Sequence, residues 1–550
     1  MKRFRTWLPC PQAWFGGFLL AFFLVTGLIY APSWHLNGLL LEYVHKAPVF
    51  AAAFAGFTAA LELLFRRPGL RLRKQTARAD GEKRLFWTVF AVLTCVWAVY
   101  IGAFFPGTAS IDGYYQIDLG LGLLPMDDHH PYIVTMYYAW LFRLGRWLGG
   151  HDRFGLFAIV AVQALLTSYA CGKTVVEIRR MGFGRVACVL TTLFYGGFPL
   201  IGVYVQTVIK DSLYFPVFML YFLQLLRVYR QLTEHQGHRF GALAHLALLG
   251  MLVCLIRHDG VIVVAGSLAV LALVSLDRRG RRRLLLLTLA VVLAFGGYQT
   301  SVKAIMSTSD ATFGTSAVPE MLSLMFQMTA VYMRTYPDKV TAEEFAAINK
   351  VLDGEKLIRL FDPLLADPVK NTFRNDCTMQ DLIDYFVVWV KMFLKHPACY
   401  VDGLLHCTFG YIYPFFLNLH DNFYVQTSTH EKINSTGLDI FHVNTEGLMK
   451  FFIDLMYDWA DNPWLNWLMS PGTYTWFGLV LFLLLWAKKK RRELAVFTAP
   501  ALVMAIAVIS PVNGNTRYVL ACIAIVPILL CWTLRQTGRD RETETPPAEA

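Results

Sequence analysis

Long apolar runs dominate this sequence and constrain its fold more than any other feature. A helix needs about 20 apolar residues to cross the hydrocarbon core of a bilayer, which is about 30 Å thick. Twelve runs approach or reach that length, and polar connectors separate them. The pattern predicts an all-α polytopic membrane protein with about 12 transmembrane helices and a large extracytoplasmic loop region. The predicted spans are 12–30, 47–65, 85–105, 154–173, 186–204, 212–227, 241–256, 260–276, 284–304, 472–487, 494–510 and 518–534.

The composition agrees with this class and argues against others. Hydrophobic residues make up 56% of the 550 and charged residues 16%, which is more apolar surface than a soluble domain can bury. The net charge of +11 comes from short basic runs between apolar segments, so we expect no nucleic acid partner. The ten cysteines are scattered without CxxC pairs or Cys/His clusters. This pattern supports neither a zinc site nor a disulfide framework. We expect no metal and no cofactor.

The basic connectors predict how the chain is oriented in the cell membrane. Cytoplasmic loops of membrane proteins are enriched in Lys and Arg. With the N-terminus in the cytoplasm, every strongly basic connector falls on the cytoplasmic side, and so does the C-terminus. The connectors are 66–84 with eight Lys or Arg, 173–185 with four, 227–239 with three, 278–283 with five and 488–492 with five.

This alternation holds only if residues 132–149 do not span the bilayer. The segment is apolar enough to resemble a span, but it carries Arg143 and Arg146. Counting it as a span would move all later basic connectors to the outside. We therefore predict a helix that lies on the outer surface or re-enters the membrane from it.

The spans and connectors divide the chain into four predicted parts. Within the second part, the aromatic segment 381–416 has apolar residues at helical spacing together with Lys391 and Lys395, which predicts a position in the membrane interface. The four parts are an N-terminal transmembrane module (1–304) with a first outer loop (106–153), an extracytoplasmic or interfacial region (305–471), the C-terminal transmembrane helices (472–535) and a disordered cytoplasmic tail (536–550).

The first outer loop supplies candidate carboxylates. Asp112 follows a predicted span directly, and Asp127 and Asp128 precede the helix that begins near Pro131. A carboxylate at the membrane surface can act as a general base when its environment adjusts its pKa. The alternative is structural, because Ser110 or Asp112 could cap one helix and Asp127 or Asp128 the next.

Three later outer turns supply cations. Lys210 and Asp211 open a span, Arg257-His258-Asp259-Gly260 separates two spans, and Arg517 opens the last one. Lys and Arg at these depths suit a phosphate, and Arg offers paired donors to its oxygens. The alternatives are an N-terminal cap for Asp211, snorkelling for Lys210 and an Arg257–Asp259 salt bridge. Ionisable residues at such depth usually mark a substrate path.

In order along the chain, these motifs resemble the GT-C superfamily. Its members are multi-spanning glycosyltransferases that use polyprenyl-phosphate-linked sugars, such as protein O-mannosyltransferases and the lipid A aminoarabinose transferase. The chain looks closer still to an uncharacterised bacterial membrane family with the same layout. The resemblance covers most of residues 85–535 and is carried by Ser110, Asp112, Tyr115, Gln116, His130-Pro131, Lys210-Asp211, Arg257-His258-Asp259-Gly260, His396-Pro397, Tyr400 and Arg517-Tyr518.

The resemblance implies a GT-C-like bundle and assigns roles to these residues. Asp112 is expected to act as catalytic base or to orient the acceptor, and Lys210, Arg257, His258 and Arg517 to bind the donor phosphate. One departure from the family pattern concerns the metal requirement. Many relatives have two adjacent acidic residues in the first outer loop, whereas here Gly113 follows Asp112, and we predict no metal. The expected supporting or acceptor-binding residues are Tyr115, Gln116, Asp128, His129, His130, Asp211 and Asp259.

The expected function is transfer of a sugar from a polyprenyl-phosphate donor to an acceptor outside the cytoplasm. The acceptor could be a cell-envelope glycan, a lipid or a protein, and the bilayer itself is the other partner. A transporter or flippase for a lipid-linked or anionic substrate is the alternative, and it predicts polar residues at the midplane and paired broken helices. A polysaccharide ligase or polymerase is a third hypothesis, which shares the donor chemistry.

Overall fold

A computed structural model describes residues 8–32, 38–72, 79–233, 240–275, 278–307, 317–418, 437–440, 447–510 and 512–540. These residues form helices almost throughout, and each predicted apolar run coincides with one helix or with two in succession. In the tail predicted to be disordered (536–550), residues 536–537 belong to the last helix and Arg539–Asp540 to a short strand, whereas residues 541–550 lie outside the described residues.

Helices are numbered here in chain order. From the N-terminus to the first outer loop they are α1 (Pro11–Tyr30), α2 (Leu39–His45), α3 (Ala47–Arg66), α4 (Ala79–Ala103), α5 (Ile111–Leu121) and α6 (Tyr132–Gly149). The next are α7 (Asp152–Arg180), α8 (Arg185–Gly197), α9 (Pro199–Gln206), α10 (Lys210–Thr233), α11 (Phe240–Ile256), α12 (Gly260–Val274) and α13 (Arg278–Ser307).

The outer region contains α14 (Ala317–Thr335), α15 (Ala342–Val351), α16 (Gly354–Leu360), α17 (Asp367–Lys370), α18 (Met379–Lys395), α19 (Pro397–Thr408) and α20 (Leu448–Asp461). The C-terminal helices are α21 (Pro471–Ala487), α22 (Thr498–Val508), α23 (Leu520–Ala524) and α24 (Val526–Thr537). The described strands are two residues each: β1 (Arg71–Leu72), β2 (Thr108–Ala109), β3 (Thr207–Val208) and β4 (Arg539–Asp540).

The apolar helices make this an all-α polytopic membrane protein. Among the described residues, α1, α3, α4, α7, α10 and α13 are long and apolar enough to cross a bilayer. Two bent pairs, α8–α9 and α23–α24, would raise the number of spans to eight. Shorter apolar helices occupy the remaining predicted runs, namely α11, α12, α21 and Glu493–Val508. The count of twelve spans stays a prediction.

Both bends coincide with a proline near the start of the second helix. Pro199 opens α9 after a bend of 55°, and Pro527 lies in the first turn of α24 after a bend of 44°. Proline lacks the N–H that would continue the helix, and it disfavours the helical conformation of the preceding residue. The sequence therefore breaks these two apolar runs locally instead of letting each form one straight helix.

Three of the basic connectors meet at one end of the bundle. Lys488 Nζ donates to the Arg67 carbonyl at 2.9 Å, which joins the last connector to the first. Arg180 pairs with Glu82 at 2.7 Å, which joins the second connector to the start of α4. The backbone of β1 also pairs in parallel with that of β4, near the C-terminus. Three of the five connectors that were predicted to share one compartment are thus neighbours.

The first outer loop consists of α5 and α6. Helix α6 packs along α7 and α5, and Arg146 near its end pairs with Asp152 at 2.6 Å. It leaves Trp140 and Trp147 exposed. Helix α6 is not among the described helices that pass the length and hydropathy criteria for a span. Its position on or within the outer membrane surface stays a prediction.

The outer region has a hydrophobic cluster of its own, which extends from Phe326 to Tyr400. Helices α14 to α19 supply most of its buried side chains. Capping boxes begin two of them, since Thr341 caps α15 and Thr378 caps α18. Lys395 at the end of α18 pairs with Glu344 at 2.6 Å and so ties the two helices together. The boundaries of the four predicted parts are not settled by this cluster.

Candidate functional site

A short parallel strand pairing joins the first two outer turns. Strand β2 pairs with β3, which interrupts the chain between α9 and α10. The Gln206 side chain accepts a hydrogen bond from the Thr108 backbone N–H at 3.0 Å, and the Ser110 N–H donates to the Val208 carbonyl at 3.2 Å. These contacts fix the start of α5 beside the start of α10.

Asp112 faces an arginine from the last outer turn. Ser110 is the residue that caps α5, because its hydroxyl accepts from the Gly113 N–H at 3.0 Å. The Asp112 carboxylate instead lies 3.3 Å from the Arg517 guanidinium. Burial would raise the pKa of Asp112, but the charges of Arg517 and Lys210 lower it below its ordinary value. Asp112 is therefore ionised near neutral pH.

Asp211 is the buried centre of the cluster. Its side chain is only 1% exposed. One carboxylate oxygen accepts from Arg257 Nη1 at 2.7 Å, and the other lies 3.8 Å from Arg517 Nε. Among the described residues no backbone N–H donates to this carboxylate, so the alternative that Asp211 caps α10 is not observed. Asp211 instead connects the third outer turn to the fourth.

Arg257 is held by two carboxylates. Its Nε and Nη2 atoms donate to Asp259 at 3.0 and 2.7 Å, and Nη1 donates to Asp211. Three of the five N–H bonds of this guanidinium are thus committed. The salt-bridge alternative for Arg257 and Asp259 is therefore present. Gly260 lets the start of α12 lie close against the end of α11, because a Cβ on residue 260 would lie 2.5 Å from the Val253 carbonyl oxygen.

Lys210 and two histidines border the carboxylates. Among the described residues Lys210 forms no ion pair, although its charge acts on Asp112, His130 and His258. Burial, together with the Lys210 charge, lowers the pKa of both histidines, so their imidazoles are neutral near pH 7. His130 is 3% exposed, and no hydrogen-bond partner for its buried Nδ1 occurs in the described parts of the chain.

The loop between α5 and α6 forms the rim of the cluster. Tyr115 donates its hydroxyl to Asp127, and burial with this carboxylate raises the pKa of Tyr115 to about 12. The His129 N–H donates to the same carboxylate at 3.1 Å. Asp128 acts electrostatically on His258, which places this loop beside the third turn. Gln116 is buried and donates to Thr135 at 3.3 Å, so it holds α5 against α6.

Two tyrosines that were not predicted as site residues pack against the arginines. The Arg517 guanidinium lies 4.9 Å from the Tyr518 ring centre and donates to its hydroxyl at 3.2 Å. Arg257 lies 5.2 Å from the Tyr214 ring centre. Tyr214 follows Asp211 by three residues on a helix, so the two share a face, which is a signal that the sequence offered. Such stacking orients a guanidinium.

Two residues of the predicted motif set pack elsewhere. His396 stacks on Tyr336 with ring centres 4.0 Å apart, and the Tyr400 hydroxyl donates to the Trp389 carbonyl at 3.1 Å. Both contacts belong to the outer region. In the parts of the chain that are described, no group of three or more His, Cys, Asp or Glu side chains is arranged to hold a metal ion.

The cluster thus unites all four outer turns. Asp112, Asp211 and Asp259 balance the charges of Lys210, Arg257 and Arg517. With these contacts in view, one comparison identifies the chain's family: the model of a family of unknown function, DUF6020, matches residues 124–546. The chain belongs to the DUF6020 family. The DUF6020 match includes three of the outer turns, whereas Asp112 lies before it. No curated protein and no solved structure matches the chain.

Proposed function

We propose that this DUF6020 protein is a membrane glycosyltransferase that uses a polyprenyl-phosphate-linked sugar as its donor. The single observation that carries the proposal is the approach of the Asp112 carboxylate to the Arg517 guanidinium, at 3.3 Å and beside Lys210. A base for the acceptor hydroxyl and cations for a leaving phosphate are what direct sugar transfer requires. A donor that stays in the bilayer explains a site built at the ends of spanning helices.

The three cations differ in how closely carboxylates approach them. Arg257 is held at 2.7–3.0 Å by Asp211 and Asp259, so its charge is largely neutralised. Arg517 has longer approaches, 3.3 Å to Asp112 and 3.8 Å to Asp211. Phosphate oxygens compete best where the existing ion pairs are longest. Arg517 and Lys210 would therefore bind the donor, and Arg257 would hold Asp211 in place.

The proposed reaction is a direct displacement at the anomeric carbon. The acceptor oxygen forms a bond to that carbon while the bond to the phosphate oxygen breaks. The phosphate leaves with the electron pair, and Lys210 and Arg517 stabilise its charge. The acceptor proton passes to Asp112. The two cations hold the pKa of Asp112 low, and a phosphate bound beside them would offset their charge and make Asp112 a stronger base.

The proposal includes the orientation of the chain in the plasma membrane. The polar cluster joins the four turns that the charge alternation assigns to the outside, and the basic connectors meet one another elsewhere. Twelve spans with both termini in the cytoplasm would satisfy this arrangement. The acceptor would then be an extracytoplasmic glycan, lipid or protein.

Donor turnover by the purified protein tests the proposal. In proteoliposomes, the protein should transfer the sugar of a polyprenyl-phosphate sugar to water, in place of the acceptor, and release polyprenyl phosphate. Asp112→Asn should lower the rate of this release by at least about 100-fold. The matched control is Asp338→Asn, an exposed carboxylate in the outer region, which should leave the rate unchanged. Both variants must elute as monodisperse protein and unfold in one cooperative transition at the assay temperature or above. Full turnover by a folded Asp112→Asn protein would contradict the role of Asp112.

A transporter or flippase is the second candidate, and the two bent pairs favour it. Helices broken near Pro199 and Pro527 resemble the discontinuous helices that form transport sites. This candidate predicts that the lipid-linked sugar changes leaflet without any release of lipid phosphate. A polysaccharide ligase or polymerase would release a lipid carrier too, but only from a donor with a longer glycan. The same turnover assay with both donors distinguishes the three.

A further inference from the structure

Helix α19 in the outer region has its polar side chains inside and its apolar side chains outside. Asp402 and His406 are 3% and 1% exposed, whereas Val401 and Leu404 on the same helix are 40% and 37% exposed. A helix on the surface of a soluble domain shows the opposite arrangement. Polar side chains that turn inward while apolar ones turn outward are characteristic of helices surrounded by lipid.

Helix α18, which precedes α19, is apolar on two sides. Its inner face packs Tyr385 and Met392 into the outer region's cluster. Its outer face leaves an apolar stripe exposed at helical spacing. A helix with apolar side chains on two of its sides needs an apolar environment at each of those sides. The exposed side chains of this stripe are Ile383, Val387, Val390 and Leu394.

The position of α19 is fixed by the helices that it contacts. The Tyr30 hydroxyl, in the last residue of α1, donates to Asp402 at 2.6 Å. Trp476 near the start of α21 donates to the Ile412 carbonyl at 2.7 Å, just after α19. Helix α1 is a candidate span and α21 a shorter apolar helix. Helix α19 and the residues that follow it therefore pack against the ends of two apolar helices.

We infer that α18 and α19 lie in the interface of the outer leaflet, with their exposed apolar side chains in contact with lipid. The exposed Lys391 is suited to the anionic head groups beside that stripe. This inference assigns the exposed stripe to the bilayer that the chain already occupies rather than to a second copy or a partner protein.

The anchored helices also hold one of the four outer turns. The Asn513 side chain donates to the His406 carbonyl at 2.8 Å and accepts from the Gly410 N–H at 2.9 Å. Asn513 precedes Arg517 by four residues. Lipid contact of α19 would therefore keep the Arg517 turn at the depth of the lipid head groups, where a lipid-linked phosphate lies.

Photo-crosslinking in proteoliposomes of phosphatidylethanolamine and phosphatidylglycerol tests this inference. The photoreactive residue p-benzoylphenylalanine replaces Val387, Leu394 or Val401, one at a time, in the full chain. Mass spectrometry should find phospholipid adducts at all three positions. Leu289 on α13, 54% exposed on a candidate span, is the positive control, and Lys356 on α16 is the water-exposed control.

Two results would contradict the lipid contact of α18 and α19. Adducts at Leu289 but at none of the three test positions would place the stripe away from lipid. A covalent dimer from Val387 or Leu394 would instead assign the stripe to a second copy. Three positions on two helices keep the test valid if one variant fails to fold, and monodisperse elution with the wild-type unfolding transition identifies the folded ones.

Discussion

At the scale of single residues, the buried Asp211 carboxylate joins the site, because Arg257 and Arg517 approach its two oxygens at 2.7 and 3.8 Å. Asp112, Arg257 and Arg517 stand out because charged residues between apolar runs are costly and rarely accidental. Asp211 could equally have been a helix cap, since a cap and a buried ion-pair partner are the same residue type in the same position. Only the tertiary structure, which places Arg257 and Arg517 on either side of it, distinguishes the two.

The first prediction concerns Asp211. Replacing Asp211 by Asn leaves two buried arginines short of a counter-charge, and breaking a buried pair in this way costs about 3–5 kcal/mol. We expect Asp211→Asn to lower the free energy of unfolding by that amount in a denaturant titration. Asp338→Asn, at an exposed position, should change it by less than about 0.5 kcal/mol. Equal stabilities of the two variants would show that Asp211 is not the centre of the cluster.

The second prediction concerns pH. The pKa of Asp112 is lowered in the folded protein, so its ionised form stabilises the fold above its unfolded pKa of about 3.9. This contribution is lost as the pH falls through the folded pKa. The difference in unfolding free energy between wild type and Asp112→Asn should therefore stay constant from about pH 8 to about pH 5 and shrink below about pH 4. A change centred near pH 6 would mean that a histidine controls the difference.

At the scale of elements, hydropathy predicted where helices form but not where they bend. A helix in lipid must satisfy all its backbone groups internally, so a long apolar run has few alternatives. The bends near Pro199 and Pro527 were visible as prolines, yet a proline in an apolar run can kink a helix or only open its first turn. The β2–β3 pairing left no sequence signal, because strands of two residues show no period.

The third prediction tests this strand pairing. The first turn of α5 approaches the chain around β3 so closely that a Cβ on Gly113 would lie 2.1 Å from the Val208 carbonyl oxygen. Gly113→Ala must therefore displace the backbone, and we expect a loss of about 1–3 kcal/mol in unfolding free energy. The control is Gly102→Ala, where a Cβ meets nothing within 4 Å.

The two glycine variants should differ in sign. Alanine is the better helix former, so Gly102→Ala on α4 should stabilise the protein by about 0.5–1 kcal/mol. An undiminished stability of Gly113→Ala would show that the close approach of α5 to β3 does not hold the start of α5 in place.

At the scale of the whole molecule, the basic connectors and the polar cluster of the outer turns form two separate charged regions. The connectors rich in Lys and Arg contact one another through Lys488, Arg67, Arg180 and Glu82. The cluster of three Asp, two Arg and Lys210 joins the four outer turns, which contain few Lys or Arg. The number of predicted spans before each connector predicted this separation, because each added span moves every later connector to the other side of the membrane. Whether each of the short apolar helices crosses the bilayer stays a prediction.

Labelling of intact cells measures most directly whether the polar cluster faces the outside. Leu123→Cys lies just after α5 and is exposed, and Arg491→Cys lies in the exposed basic connector after α21. We predict that a membrane-impermeant maleimide labels Leu123→Cys in intact cells and Arg491→Cys only after permeabilisation, with the parent chain as the background. Labelling of Arg491→Cys but not Leu123→Cys in intact cells would place the cluster in the cytoplasm and contradict extracytoplasmic sugar transfer.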